Sequence, residues 1–229
     1  MSKRMKAAVE GIDKFKLHAL GEAVKQLKSR SKVKFDETVD VAISLGIDPK
    51  QSDQLVRGMV PMPNGLGKTV RVAVFAKGAA AEAATKAGAD IVGGDDLAEQ
   101  IQKGDINFDV CIAAPDMMGT VGKIGKILGP KGLMPNPKLG TVTPNVAAAV
   151  AAAKAGQVEF KVEKAAIIHA GVAKASFTED AIIGNIKAFV DAVAKAKPAG
   201  VKGDYIKKIS ISTTMGPGVK IDLSDVLAA

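Results

Sequence analysis

The residues with the most obvious capacity for chemistry lie between Met118 and Gly140. This segment contains six glycines, three prolines and four lysines, and no acidic residue interrupts the lysines. Glycine permits close backbone approach and positive φ angles whereas proline fixes φ, so the pattern predicts a loop built for shape rather than for regular packing. A cationic surface of small residues suits a partner that carries phosphate groups. The lysines in question are Lys123, Lys126, Lys131 and Lys138.

The glycine spacing in this segment differs from the patterns that bind nucleotides. Gly119, Gly122 and Gly125 recur every three residues instead of forming G-x-G-x-x-G, and no acidic residue suited to a ribose follows a second strand. Gly67-Lys68-Thr69 resembles the end of a P-loop, but Met62 occupies the place of its first glycine and a predicted strand follows instead of a helix. A nucleotide-binding α/β enzyme that uses the glycine run is therefore the alternative, not the preferred interpretation.

No set of side chains in the sequence stands out as catalytic or metal-ligating. Cys111 is the only cysteine and lies in a predicted buried strand, where a thiol usually serves packing alone. His18 and His169 are too far apart in sequence to indicate a metal site. Asp95 and Asp96 are placed where acidic residues stabilise a helix N-terminus. We therefore expect no catalytic activity, cofactor, metal ion or small-molecule substrate.

The charge distribution favours a nucleic-acid partner. The net charge is +8, and residues 1–34 contribute ten basic and three acidic side chains, or +7. Aromatic residues make up only 3% of the chain, which argues against single-strand binding by stacked bases. Lys14, Lys16 and Glu22 interrupt any signal-peptide core, and no apolar run is long enough to span a membrane. We expect a cytoplasmic protein.

A second group of candidate residues follows the last predicted strand. The segment Ser212–Gly218 combines three hydroxyl side chains with Met215 and two glycines. Hydroxyls can bond phosphate and ribose oxygens, glycine admits a close backbone, and methionine can pack flat on a base or sugar. An ordinary hydroxyl-rich turn would have the same composition, so both interpretations stay open. Phe35, just after the basic segment, is either a core residue or an RNA contact.

The sequence patterns at the two ends of the chain predict amphipathic helices and strands of an α+β domain. Apolar residues recur at helical or alternating spacing, and Thr178 is a predicted helix N-cap. The predicted helices are Leu20–Arg30 and 179–197, and the predicted strands are Thr38–Leu45, an irregular edge strand over 54–61, then 158–162, 166–170 and 205–212. Because residues 157–229 hold too few elements to fold alone, we expect them to join residues 1–66 in one split domain.

The middle of the chain has a different texture, in which strands alternate with helices. The predicted order is strand 70–75, helix 79–87, strand 89–92, helix 95–103, strand 108–114, the glycine run and helix 144–155. This alternation predicts a parallel sheet with right-handed crossovers, a Rossmann-like α/β layer. The expected architecture is thus a split α+β outer domain, residues 1–66 plus 157–229, with an inserted Rossmann-like domain, residues 67–156.

The centre of the glycine run, Leu128-Gly-Pro-Lys-Gly-Leu-Met-Pro135, resembles the signature of the universal large-subunit ribosomal protein L-one family. Similar segments recur along the whole chain, which makes the resemblance specific; they are Lys32–Val39, Ser52–Gly58, Gly65–Lys68, Phe75–Gly78 and Ser212–Pro217. The family's architecture, a split α+β domain with a Rossmann-like insert, agrees with the elements predicted above.

The resemblance implies binding to folded large-subunit rRNA at the mobile stalk beside the tRNA exit site. It also implies help in releasing deacylated tRNA from that site and, in bacterial members, repression of the protein's own operon through an mRNA copy of the rRNA site. The protein would be a monomer when free of the ribosome and would not contact membranes. A nonspecific basic chaperone of nucleic acids is a weaker alternative.

In that family the outer domain holds the principal RNA contact. Carried over to this chain, the contact comprises Phe35 on the first strand and four residues at the end of the last, Thr213, Thr214, Met215 and Gly216. Further candidates on the same domain are Lys34, Lys161, Lys164, His169, Lys174 and Ser176. Lys208 stands where some relatives have a serine. The four lysines of the glycine run would make a secondary contact with rRNA or tRNA.

Overall fold

The structure is a computed structural model that describes residues 3–13, 16–201 and 203–227. Lys14, one of the basic N-terminal residues noted above, lies outside the described residues. The helices are α1 (Lys3–Val9), α2 (Leu20–Arg30), α3 (Ala79–Lys86), α4 (Asp95–Gln102), α5 (Met118–Lys123), α6 (Gly125–Leu128), α7 (Val146–Gly156), α8 (Glu179–Lys195) and α9 (Leu223–Leu227). The strands are β1 (Thr38–Leu45), β2 (Arg57–Pro61), β3 (Val72–Phe75), β4 (Ile91–Gly93), β5 (Val110–Ala113), β6 (Gln157–Lys161), β7 (Ile167–Lys174), β8 (Ile206–Thr213) and β9 (Val219–Ile221).

The chain divides into two compact units, one of residues 1–67 with 158–229 and one of residues 68–157. In the first unit, strands from both ends of the chain form a sheet of order β7-β1-β8-β9. β1 is antiparallel to both β7 and β8, and its alternating residues Val39, Val41, Ile43 and Leu45 are buried. Helices α2 and α8 contribute to the same core. The split α+β part of the predicted fold class is confirmed.

The smaller sheet of this unit, β2 with β6, depends on a close approach of backbone and ring. A Cβ on Gly58 would lie 2.7 Å from Cζ of Phe160, so only glycine fits opposite that ring. Phe160 in turn meets Phe189 of α8 edge to face, with ring centroids 5.8 Å apart. The predicted edge strand from residue 54 was too long, because residues 52–54 form a 3₁₀ turn and the strand begins at Arg57.

The second unit is a three-layer α/β structure. Its sheet has the order β4-β3-β5, and both neighbouring pairs are parallel. One face packs against α4, α5 and α6 in an apolar cluster, and the other packs against α3 and α7 in a second cluster. Helices on both faces of a parallel sheet are the Rossmann-like arrangement, so the predicted α/β class of the insert is confirmed as well.

The glycine run contradicts one expectation, because its first half is helical. Residues 118–123 and 125–128 form α5 and α6 with a turn at Ile124 between them, and Val121, Ile124 and Leu128 are fully buried in the cluster on one face of the sheet. Their spacing of three and four residues supplies an apolar helix face that overrides the low helix propensity of the glycines between them. The prediction of irregular packing was therefore wrong for this half, and the run turns at Gly132 and Gly140, which have positive φ angles.

Three short elements were missed by the sequence analysis: α1, β9 and α9. β9 pairs with β8. His18 extends the sheet by one bridge beyond β9, since its N–H donates to the Lys220 carbonyl at 3.1 Å. Other strands were predicted with wrong limits. β3, β4 and β5 each start two residues later than predicted, at Val72, Ile91 and Val110, and β7 continues to Lys174 instead of ending at 170. No helix in the described part of the chain is long and apolar enough to span a membrane.

Candidate nucleic-acid interface

The segment Thr213–Gly216 closes the end of β8 against the start of β1. The N–H of Thr214 donates to the Thr38 carbonyl at 3.1 Å, and the Thr38 N–H donates to Oγ1 of Thr214 at 3.0 Å. A Cβ on Gly216 would lie 2.2 Å from Oγ1 of Thr213, so the turn requires glycine there. Thr213 itself is 3% exposed, which directs its hydroxyl into the turn instead of toward solvent.

Met215 is held through its backbone and leaves its side chain outside. Its N–H donates to Oε1 of Glu37 at 2.8 Å, and its carbonyl accepts from Nη1 of Arg4 at 3.0 Å. Met215 is 40% exposed as a residue, which is uncommon for a methionine. An apolar side chain presented on a fixed backbone can pack on a base or sugar without a further loss of backbone entropy.

Glu37 organises this corner although sequence reasoning did not single it out. It is 1% exposed, and its Oε2 accepts a hydrogen bond from the hydroxyl of Ser31, next to the end of α2. Its carbonyl accepts from the Ala175 N–H at 2.8 Å. Glu37 thus joins three separate segments: the end of α2, the loop after β7 and the Met215 turn. No local pattern distinguishes it from its neighbour Asp36, so no signal in one sequence would have found it.

Phe35 lies in the loop between α2 and β1, not on the first strand as expected, since β1 begins only at Thr38. Phe35 is 53% exposed, so it is not a core residue. The loop is held by the next residue, because Oδ1 and Oδ2 of Asp36 accept from the N–H and hydroxyl of Ser176 at 3.1 and 2.8 Å. The neighbouring Lys34 is exposed.

Lys174 and Ser176 therefore serve the loop as well as facing outward. Nζ of Lys174 donates to the Asp36 carbonyl at 3.3 Å and to Oγ1 of Thr38 at 3.1 Å. The structure brings a set of these residues to one end of the sheet, where β1 begins and β7 and β8 end. We call this set the recognition rim, and its members are Lys34, Phe35, Lys174, Ser176, Thr214, Met215 and Gly216. The rim combines two exposed apolar side chains with lysines, and the carboxylates of Asp36 and Glu37 are hydrogen-bonded within the protein.

The other candidates on this unit lie away from the rim. His169 pairs with Ala42 in the middle of the sheet, five residues along β7 from Lys174, or about 16 Å at a rise of about 3.3 Å per residue. Its Nε2 lies 2.6 Å from Oε1 of Glu163. Lys164 is in the turn before β7, at the opposite end from the rim, and Lys161 ends β6. The structure does not bring these three together with the rim.

The sheet face that lies between the recognition rim and Lys164 has a mixture of small, polar and apolar side chains. Ser44 of β1 is flanked by Ile167 of β7 and Lys208 of β8, and Ala42 by His169 and Ser210. These positions alternate with the buried ones, so they point away from α2 and α8. Lys208 is exposed on this face.

The lysines of the glycine run are all exposed on the second unit. Lys123 ends α5, Lys126 lies in α6, Lys131 is in the following turn, and Lys138 is in the 3₁₀ turn of residues 137–139. None of the four forms an ion pair with an acidic residue in the described part of the chain. They are available to an anionic partner.

Two carboxylates of the insert lie at the N-terminus of α4. At the start of α4, Oδ1 of Asp96 accepts from the Gly94 N–H at 2.7 Å, and backbone hydrogen bonds from Gly94 and Leu97 lower the pKa of this carboxyl. Asp95 beside it accepts from Nζ of Lys77 at 2.8 Å, which lowers its pKa too. Both acids thus lie in the first turn of α4, where acidic side chains stabilise a helix N-terminus.

Cys111 is not a reactive thiol in this fold. It lies on β5 in the apolar core, and burial raises its pKa to about 12. Because the thiolate is the nucleophile and the metal ligand, this cysteine is inert at neutral pH. No cluster of three or more His, Cys, Asp or Glu side chains suited to a metal ion occurs among the described residues.

Comparison with protein families agrees with this arrangement. The model of the ribosomal protein L1p/L10e family matches residues 27–217, which is most of the chain and includes the rim and the glycine run. Helix α1 lies outside the matched stretch. The family is one of ribosomal proteins, so the resemblance seen in the sequence and the expected ribosomal location are confirmed. The chain therefore belongs to the ribosomal protein L1p/L10e family and is an RNA-binding protein of the large ribosomal subunit.

Proposed function

We propose that this protein binds a folded segment of large-subunit rRNA at the mobile stalk beside the tRNA exit site, using the recognition rim. The observation that supports this most strongly is the Met215 turn. Glu37 accepts from the backbone N–H of Met215 and Arg4 donates to its carbonyl, while Met215 stays exposed close to the loop that contains Phe35. Phe35 is two residues from Glu37, so the two Cα atoms are within about 7 Å.

The rim suits a structured RNA better than an extended single strand. It offers two isolated apolar side chains and hydroxyl groups on a rigid edge, whereas single-strand binding needs a row of aromatic platforms. The Ser176 hydroxyl donates its proton to Asp36, so its oxygen can accept a hydrogen bond from a ribose 2′-OH group, whereas the Thr214 hydroxyl bonds Thr38. Lys34 and Lys174 add affinity that depends on salt. Recognition is thus by RNA shape, with the lysines supplying attraction.

From this binding follow two further roles within the proposal. A protein attached to the stalk beside the exit site assists the release of deacylated tRNA, and Lys123, Lys126, Lys131 and Lys138 on the second unit are its candidate tRNA contacts. A segment of the protein's own mRNA that mimics the rRNA site would occupy the same rim. Excess free protein would then repress translation of its operon.

A matched pair of variants tests the rRNA contact. Met215→Asp places a carboxylate where the rim meets RNA, and Leu55→Asp makes the same change at a similarly exposed apolar residue of the same unit away from the rim. We expect Met215→Asp to weaken binding of a stalk rRNA fragment by about a hundredfold or more, the scale of a lost central apolar contact. Leu55→Asp should bind as the wild type does. Wild-type affinity of Met215→Asp in a filter-binding assay would refute the assignment.

A further inference from the structure

A cationic cleft lies between α1 and the C-terminal end of α2, in the first unit. Its volume is about 400 Å³, and it is lined by Arg4, Ala7, Ala8, Ser29, Arg30, Lys32 and Val33. Three of these lining residues are basic and none is acidic. The rest have small or short side chains, which leaves room for a group from outside.

Arg30 gives the cleft its shape by capping α1. Its Nη1 donates to the carbonyls of Ala8 and Glu10 at 2.6 and 2.9 Å, near the end of a helix that leaves its last carbonyls without helical partners. A guanidinium has five N–H donors, and within the described part of the chain these hydrogen bonds use Nη1 alone. The N–H groups on Nε and Nη2 of the same guanidinium are suited to a phosphate, which can accept two parallel hydrogen bonds.

Arg4 connects the cleft to the recognition rim. Its Nη1 donates to the Met215 carbonyl at 3.0 Å, so the wall of the cleft and the Met215 turn share a hydrogen bond. On the other side, Lys32 is exposed and lies only three residues before Phe35. An RNA strand that packs on Met215 and Phe35 therefore passes next to the opening of the cleft.

We propose that this cleft binds a backbone phosphate of the RNA strand that occupies the recognition rim. Arg4, Arg30 and Lys32 supply the positive charge, and the small side chains of Ala7 and Ala8 let the sugar approach. This inference rests on the proposed function and adds α1, which lies outside the stretch matched by the family, to the RNA contact. Phosphate is the shared chemistry of an RNA backbone and a free nucleotide. The continuity with Met215 favours RNA.

Lys32→Glu tests the cleft, because Lys32 lines it and is not among the residues that hold α1 in place. Lys197→Glu is the matched control, an exposed lysine of the same unit beyond the far end of α8. Binding of the full chain to a stalk rRNA fragment is measured between 50 and 300 mM salt, roughly the range over which counterion release changes affinity strongly. We expect Lys32→Glu to weaken binding at low salt by about tenfold and to reduce the slope of log K against log salt by about one.

Lys197→Glu should change the affinity by less than about twofold and leave the slope unchanged, since it removes the same charge outside the cleft. If the wild type binds the fragment and Lys32→Glu is indistinguishable from Lys197→Glu, the cleft is not a phosphate site, while the proposed function stands. Failure of the wild type to bind the fragment would refute the proposed function itself. Saturable binding of AMP that depends on Lys32, with unchanged RNA affinity, would overturn the inference in favour of a free nucleotide.

Discussion

The carboxylate of Glu37 accepts a hydrogen bond from the backbone N–H of Met215 at 2.8 Å, across 178 positions of the sequence. Glu37 is buried just before the first strand, and Met215 is exposed just after the eighth. Because Ser31 bonds the second oxygen of the same carboxylate, the bond fixes the Met215 turn relative to the end of α2. Glu37 is thus a positioning residue for the surface that we assign to RNA.

Replacing Glu37 tests this role. Glu37→Ala leaves the Met215 N–H and the Ser31 hydroxyl without their acceptor, which should cost about 1–3 kcal/mol of folding free energy. RNA affinity should fall by about tenfold in addition, because the Met215 turn keeps its bond to Arg4 but loses the bond to Glu37 and is less well ordered before binding. Thermal unfolding and filter binding measure the two effects.

The conservative change Glu37→Gln separates positioning from charge. Its amide oxygen can still accept from Met215, and its NH₂ group can donate to the Ser31 oxygen. We expect it to restore RNA affinity to within about threefold of wild type, since a single hydrogen bond rearranges. If Glu37→Ala binds RNA as the wild type does, Glu37 has no part in presenting Met215.

Gly216 should tolerate no side chain. In Gly216→Ala the new Cβ would collide with Oγ1 of Thr213 at 2.2 Å, so the turn must shift, at a cost of about 1–3 kcal/mol. Gly218→Ala is the control two residues away, where nothing lies within 4 Å of the added Cβ. Removing the hydroxyl in the double variant Thr213→Ala/Gly216→Ala should recover most of the loss. Equal unfolding temperatures for Gly216→Ala and Gly218→Ala would contradict the packing described here.

Much of the fold could be predicted from local pattern. The alternation of Val39, Val41 and Ile43 specifies β1 and its buried face, and the helical spacing in α2 gave the observed limits Leu20–Arg30. The change from amphipathic elements to alternating strands and helices indicated the inserted Rossmann-like layer. These features depend on neighbours in the chain, so one sequence contains them.

The candidate site was harder to predict from the sequence, because its geometry arises from contacts between residues that are distant in the chain. The pattern could nominate Met215 as an exposed candidate and left Phe35 open between core residue and contact. The role of Glu37 depends on Ser31 and on a turn at the other end of the chain. The glycine run illustrates the opposite error. Its composition suggested a loop, while the packing of Val121 and Leu128 in the core beside the parallel sheet makes its first half helical.

Cys111 should resist alkylation until the protein unfolds. Burial raises the pKa of Cys111 to about 12. A pH of 8 is about four units below this pKa, so nearly all of the thiol is protonated. We expect slow reaction with a thiol reagent in buffer and rapid, complete reaction in guanidinium chloride. Fast labelling of the native protein would show that the insert opens or that Cys111 is exposed.

The lysines of the glycine run should matter to tRNA more than to the rRNA fragment. Replacing Lys123, Lys126, Lys131 and Lys138 with alanine removes four exposed charges from the second unit and leaves the recognition rim intact. Affinity for the stalk fragment should stay within about threefold, and release of deacylated tRNA from ribosomes that carry the variant should become slower. An unchanged release rate would contradict the proposal that these lysines contact the tRNA.

The central claim, that the Met215 turn contacts large-subunit rRNA, is tested most directly by site-specific photocrosslinking in assembled ribosomes. A photoreactive residue at position 215 is compared with the same residue at position 55, which is similarly exposed on the same unit. We predict crosslinks from position 215 to one folded segment of stalk rRNA, and none to that segment from position 55. Crosslinks from position 215 that reach only proteins, or that match those from position 55, would contradict the claim.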